Sequence, residues 1–170
     1  VVFCFASQGS VFGNKNMHNL ALSAFVNVIG EIRKSDMLQQ LLRRNNFWSK
    51  FPGFTVRMGF GLHIGWAIEG AIGSEVKIDA SYLSPHVNIA ARLEAATKMY
   101  GIDILLSEAF YEGLGSGRKS LCRVLDRVAF KGSSEPMYIY TYDTHSLNSS
   151  NLSESHYQAL FSDAQSQHAR

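Results

Sequence analysis

A capped helix and the strand after it decide the fold, and they occupy residues 84–106, which read SPHVNIAARLEAATKMYGIDILL. Ser84 is a typical N-cap residue, and Pro85 suits the first helical position, where its missing N–H costs nothing. Gly101 can adopt the left-handed backbone conformation that ends a helix. The run IDILL at 102–106, apolar except for Asp103, is typical of a buried strand. These residues therefore predict a helix, a tight turn and a buried strand in succession.

Upstream of this unit the hydrophobic pattern changes its period. Apolar residues recur at helical spacing within 17–33 and again within 37–44, which predicts two amphipathic helices. After the Pro-Gly step that follows them, large apolar residues alternate with small or polar ones, as in strands. We predict strands at 54–62, within 61–73 and at 76–81.

Downstream of the unit a further helix and a pair of strands complete the pattern. Ser107 is placed to cap a short helix that ends before the Gly-Ser-Gly step at 115–117. Two antiparallel strands are predicted, at 121–130 and 137–142. Together the elements predict an α+β fold, ferredoxin-like, with a mostly antiparallel sheet and helices on one face.

Composition narrows the class of protein. The 170 residues suffice for one domain, since domains usually have about 50–250 residues. A net charge of +2 argues against nucleic acid or an acidic membrane surface as the partner. Two cysteines far apart in the sequence indicate reduced thiols and hence an intracellular, reducing setting. No apolar run approaches the roughly 20 residues of a membrane span.

The ends of the chain differ in character from its middle. Residues 1–5 read VVFCF, the middle of a strand, so we expect the chain to be part of a longer polypeptide. The polar stretch 144–155 predicts a flexible linker, and 156–170 predicts an amphipathic helical tail. The domain is therefore expected at 1–143.

Two polar features could carry chemistry. Asn88 and Arg92 are four residues apart on the predicted helix, so they project from one face and could present an amide and a guanidinium to a phosphate. A solvated helix face is the alternative interpretation. Lys131 precedes a glycine at a strand end, from which its ammonium could reach across a cleft; strand-end lysines also serve simply as solubilising edge residues.

Three segments together resemble the catalytic domain of class III adenylyl and guanylyl cyclases. They are RMGFGLHIG at 57–65, GAIGS at 70–74 and VNIAARLE at 87–94. The family carries R-x-G-x-x-x-G-x-H-x-G, G-x-x-G-S and V-N-x-A-x-R-x-E in this order, and the first element is slightly tighter here. The resemblance covers roughly residues 1–143.

The resemblance implies a reaction and a set of site residues. In the family, cyclic AMP, or alternatively cyclic GMP, forms with pyrophosphate from ATP or GTP in a cleft between two head-to-tail cyclase domains. Asn88 would orient the ribose, Arg92 would stabilise negative charge on the phosphates, and Lys131 would bind the triphosphate. Purine choice would rest on Ser81, seven residues before Asn88, with Asp79 as a rival. A second cyclase domain, in a homodimer or a heterodimer, and other parts of a large parent protein are the implied partners.

The main departure from the family pattern concerns the aspartates that bind its metal ions. Two Mg²⁺ or Mn²⁺ ions are held there by two aspartates, one on a strand that would precede Val1 and one just before a strand like 1–5. Asp36 and Asp103 do not lie in a matching context. Hence a catalytically inactive cyclase-homology module, used for dimerisation, scaffolding or regulation, and a domain that lends Asn88 and Arg92 to a metal-bearing partner both stay open.

Other interpretations of the sequence are weaker. His63 has no ligand-type residue at metal-site spacing and is expected to be a packed histidine; His86 is expected to be a helix-cap or interface residue. The glycines at 59–61 and 70–73 do not open a helix after a strand, so they indicate close packing or bulges rather than a dinucleotide site. An RNA-binding module would need aromatics on adjacent strands beside basic residues, which are missing.

Overall fold

A computed structural model describes residues 15–44, 50–52, 54–74, 77–131 and 135–143. The predictions for the strand at 1–5, the linker at 144–155 and the tail at 156–170 lie outside these residues. The helices are α1 (Lys15–Lys34), α2 (Asp36–Arg44), α3 (Pro85–Tyr100), α4 (Glu108–Glu112) and α5 (Ser116–Lys119). The strands are β1 (Phe60–Leu62), β2 (Ile68–Gly73), β3 (Ile78–Leu83), β4 (Ile104–Ser107), β5 (Cys122–Val128) and β6 (Met137–Tyr142).

The strands form a four-stranded sheet and a separate hairpin. The order in the sheet is β1-β4-β6-β5, with β1 and β4 parallel and the other two pairs antiparallel. Strands β2 and β3 pair with each other in antiparallel register. The predicted α+β class and the mostly antiparallel sheet are thereby confirmed.

The core lies on both faces of the sheet. Side chains alternate along β4, so Ile104 and Leu106 pack in one cluster with Leu22 of α1, while Leu105 packs in another with Leu93 of α3. All five side chains are fully buried, and each contributes about 1.5–3 kcal/mol by leaving water. The expectation of helices on one face therefore does not hold in this detail, because β4 is apolar on both sides.

Local signals set the ends of α3 as the sequence predicts. The Ser84 hydroxyl accepts a hydrogen bond from the His86 N–H at 2.8 Å, and Pro85 occupies the first helical position. Gly101 ends the helix with φ +67° and donates its N–H to Lys98. Likewise Ser107 caps α4 by accepting from the Phe110 N–H. These predictions are confirmed because caps depend on near neighbours in sequence.

The predicted strand at 54–62 is wrong over most of its length. Only Phe60–Leu62 is extended and paired, while residues 54–58 are exposed and have no regular structure. The side chain of Arg57 in this segment donates to Asp103 and to the Gly101 carbonyl instead of lining a strand. The short helix after Ser107 does end before the step at 115–117, and a further helix, α5, begins there at Ser116.

Glycines let α3 approach β1 closely. A Cβ at Gly61 would lie 2.4 Å from the Glu94 nitrogen and 2.5 Å from the Ala90 oxygen, both backbone atoms of α3. A Cβ at Gly59 would lie 1.9 Å from the Thr97 hydroxyl. The close-packing interpretation of these glycines is confirmed. No helix in the described residues is long and apolar enough to span a membrane.

Candidate functional site

The outward face of α3 carries Asn88 and Arg92. The helix buries Ile89 and Leu93 against the sheet, whereas Asn88 and Arg92 are both exposed, one turn apart. Within the described part of the chain neither side chain has a hydrogen-bond or ion-pair partner. Their amide and guanidinium groups are therefore free to contact a ligand.

The β2–β3 hairpin leads directly into this helix. Ser81 is half-buried on β3, opposite Gly70, and Asp79 lies two residues earlier on the same strand, opposite Ile72. β3 ends at Leu83, and Ser84 caps α3. Strand β3, which carries Ser81, and helix α3, which carries Asn88, are thus separated by the single residue Ser84.

Lys131 lies apart from these residues. It is exposed in the turn after β5. Phe130, just before it, packs against the cluster that contains Ile89 and Leu93, so this strand end is near the buried side of α3. No hydrogen bond or ion pair joins the Lys131 side chain to α3 or β3 among the described residues. The structure brings Ser81, Asn88 and Arg92 onto adjoining elements, and Lys131 lies on a different element, in the turn after β5.

Asp103 forms ion pairs within the domain. Its carboxylate is buried and accepts hydrogen bonds from Arg33 of α1 and from Arg57, whose Nη2 lies 3.0 Å from Oδ1. Arg57 also donates to the Gly101 carbonyl at 2.8 Å. The first residue of the 57–65 motif therefore ties the turn after α3 to the rest of the domain.

Two histidines meet beside the start of α3. His63 Nδ1 lies 2.7 Å from the Ser107 hydroxyl, and His63 Nε2 lies 2.8 Å from His86 Nδ1. Burial, together with the charge of His86, lowers the pKa of His63 to about 4. His63 is a packed histidine as expected, but sequence spacing did not link it to His86, because 23 residues and the whole hairpin separate them.

The known sequences that are similar to this chain include two adenylate cyclases. No family model matches the chain. The adenylate cyclase of Anabaena cylindrica is 34% identical over 86 residues, which are 50% of this chain and 17% of that protein. The terminal-differentiation-specific adenylate cyclase of Dictyostelium discoideum is 30% identical over 132 residues, 77% of this chain and 6% of that protein. The chain therefore matches only a small part of these relatives.

Solved structures of adenylyl and guanylyl cyclases have a fold similar to that of this chain. A bacterial light-regulated adenylyl cyclase superposes with a TM-score of 0.57 at 25% identity, covering 76% of this chain and 34% of that one. The guanylyl cyclase Cya2 gives a TM-score of 0.56 at 22% identity, covering 78% of this chain and 60% of that one. The chain is therefore similar in sequence to adenylate cyclases and has the fold of solved adenylyl and guanylyl cyclase domains.

The described residues do not provide a site for the metal ions of the cyclase family. Among them no group of three or more histidine, cysteine, aspartate or glutamate side chains could hold a metal. Asp103 forms ion pairs with Arg33 and Arg57. Asp36 is an exposed residue in the first turn of α2. Any Mg²⁺ or Mn²⁺ ligands would have to come from elsewhere.

Proposed function

We propose that this cyclase homology domain contributes one side of the active site of a purine nucleotide cyclase, which forms cyclic AMP and pyrophosphate from ATP. The observation that supports this most is the exposed pair Asn88 and Arg92, one turn apart on a helix capped at both ends and without partners in the described residues. A helix with buried Ile89 and Leu93 holds the pair in fixed orientation.

The chemistry needs charge stabilisation more than acid–base groups. The ribose 3′-hydroxyl gives up its proton to water and its oxygen bonds to the α-phosphorus, while the bond from that phosphorus to the bridging oxygen breaks and pyrophosphate leaves. Negative charge grows on the phosphate oxygens, where the planar guanidinium of Arg92 can donate two hydrogen bonds. Asn88 would hold the ribose in line, and Lys131 would bind the triphosphate. Two Mg²⁺ or Mn²⁺ ions belong to the proposal, with ligands from outside the described residues.

In this proposal a residue of β3 selects between adenine and guanine. The Ser81 hydroxyl can donate or accept a hydrogen bond, so its chemistry suits adenine and guanine equally. Asp79 is the rival residue on the same strand. The curated relatives described above are named adenylate cyclases, which favours ATP; cyclic GMP from GTP is the alternative product. An intracellular location is part of the proposal, because the triphosphates are found there.

A second cyclase domain would complete the site. Ile68 and Leu83 lie opposite each other in the β2–β3 hairpin and are each 63% exposed, and nearby Trp66 is 61% exposed. Adjacent cross-strand side chains of this size form one apolar surface. Burial against another domain would stabilise the assembly by about 1.5–3 kcal/mol for each side chain. We therefore place the dimer contact at this hairpin.

A complementation assay tests the proposal. The chain is mixed with a cyclase domain of a relative that keeps its metal-binding aspartates but has alanine at its own motif asparagine and arginine. We expect formation of cyclic AMP only in the mixture, faster with ATP than with GTP. Sedimentation velocity of the same mixture shows whether the two domains associate.

An inactive homology module is the second candidate, because it requires only the contact with another domain and no metal ligands. It predicts association of the two domains without turnover of either nucleotide. That result would contradict the cyclase proposal and leave dimerisation, scaffolding or regulation as the role.

A further inference from the structure

A chain of hydrogen bonds joins three elements at the base of α3. His63 follows β1 directly, His86 is the second residue of α3, and Ser107 is the last residue of β4. The contacts of 2.7 Å and 2.8 Å connect Ser107, His63 and His86 in that order. Ser107 is fully buried and His63 and His86 are half-buried, so this chain is fixed at its inner end.

Packing around the two rings holds them in one arrangement. The His63 and His86 rings stack with centroids 5.1 Å apart, and the Trp66 ring meets His86 edge-on at 5.9 Å. A Cβ at Gly65 would lie 2.1 Å from His86 Cγ, so the motif glycine makes room for the imidazole. The Ser84 hydroxyl donates to the Trp66 carbonyl at 2.6 Å, which ties this segment to the helix cap.

The direction of the hydrogen bonds is constrained. One nitrogen of the His63 Nε2–His86 Nδ1 contact must donate and the other must accept, because a bond between two imidazoles needs one proton. Either the Ser107 hydroxyl donates to His63 and His63 to His86, or His86 donates to His63 and His63 to Ser107. Both arrangements have a neutral His63; a protonated His63 would donate to both partners, and its pKa of about 4 excludes that form near neutral pH.

We propose that His63 and His86 are positioning residues of the cyclase site, which fix the first turn of α3 to the ends of β1 and β4 and so set the place of Asn88. Asn88 is two residues after His86 on the same helix. The catalytic consequence rests on the proposed function. Displacing a reactive group by about 1 Å can cost on the order of 100-fold in rate, so the hydrogen-bonded pair has a measurable effect without touching nucleotide.

A pair of substitutions at one position tests the proposal. In His86→Asn the side-chain amide lies where Nδ1 was and can still bond to His63, whereas in His86→Gln it lies where Nε2 was and cannot. In the complementation assay we expect kcat to fall about tenfold or more in His86→Gln with KM within about threefold, while His86→Asn stays within about threefold of the original kcat. Equal effects of the two substitutions would overturn the proposal.

A measurement that does not use turnover separates this proposal from the cyclase proposal. In the chain labelled with ¹⁵N at histidine, we expect a through-hydrogen-bond coupling between His63 Nε2 and His86 Nδ1. Backbone amide resonances of Asn88 and Arg92 should shift in His86→Gln and stay in place in His86→Asn. Absence of the coupling in the unsubstituted chain, or the same shifts in both variants, would overturn the positioning role even if His86→Gln fails to fold. If the mixture that contains the unsubstituted chain forms no cyclic AMP, the cyclase proposal fails and these resonances alone decide the positioning of α3.

Discussion

Several residues of the cyclase motifs serve the fold rather than the nucleotide. Arg57 bonds to Asp103 and to the turn after α3. Gly59 and Gly61 leave the space in which α3 lies against β1, and Gly65 leaves the space for the His86 ring. The motif at 57–65 therefore encodes the close approach of a helix to a sheet, and the residues that could meet a substrate lie downstream of it.

Alanine at Gly61 tests this packing role. The added methyl group would collide with backbone atoms of α3, which cannot rotate away, so we expect the free energy of unfolding to fall by roughly 1–3 kcal/mol or more. Gly70 is the matched control, since a Cβ there meets nothing within 4 Å, and its alanine variant should stay within about 0.5 kcal/mol. Urea denaturation followed by circular dichroism measures both. A Gly61→Ala variant as stable as Gly70→Ala would contradict the close approach.

The lowered pKa of His63 predicts a pH-dependent stability. The folded domain holds this pKa at about 4 against the ordinary 6.5, so the unfolded chain takes up the proton first as the pH falls. The free energy of unfolding should therefore decrease as the pH drops from 6.5 towards 4, and the contribution is fully present above 6.5. Denaturation of the unsubstituted chain and of His63→Asn, which cannot titrate, should give a flatter pH dependence for the variant. Parallel curves would show that His63 is not held neutral.

At the scale of elements, helices and caps were predictable and strand lengths were not. Ser84, Gly101 and Ser107 act on neighbours within four residues, so their sequence signals are sufficient. The alternation at 54–62 looked like a whole strand, but pairing with β4 reaches only Phe60–Leu62. Extent of pairing depends on a partner some forty residues away, which the local pattern does not contain.

The hairpin surface formed by Trp66, Ile68 and Leu83 gives a prediction at this scale. If it is the dimer contact, the double variant Ile68→Ser with Leu83→Ser should raise the dissociation constant by at least about tenfold, because two large apolar side chains lose their burial. Met37→Ser on α2, a residue that is 73% exposed, is the control and should leave association unchanged. Sedimentation equilibrium measures the constants. Unaltered association of the hairpin variant would move the contact elsewhere.

At the scale of the whole molecule, the sequence could not predict which distant residues meet. The pairing of His63 with His86 and the packing of helices on both faces of the sheet are tertiary events with no fixed spacing. The spacing of Asn88 and Arg92 predicted a shared face correctly, since helix geometry alone sets it. Their assignment to nucleotide came from the order of three motifs and not from that spacing.

The central claim is that the exposed face of α3 acts on the nucleotide, and Arg92→Ala in the complementation assay tests it most directly. We predict that kcat falls by about 100- to 1000-fold while the circular dichroism spectrum and dimer association are retained, because the guanidinium stabilises charge that builds up in the transition state. Lys98→Ala is the control, since it removes another exposed cation from the same helix and should change kcat by less than about threefold. If Arg92→Ala turns over nucleotide as fast as the Lys98→Ala control, this face of α3 has no role in catalysis.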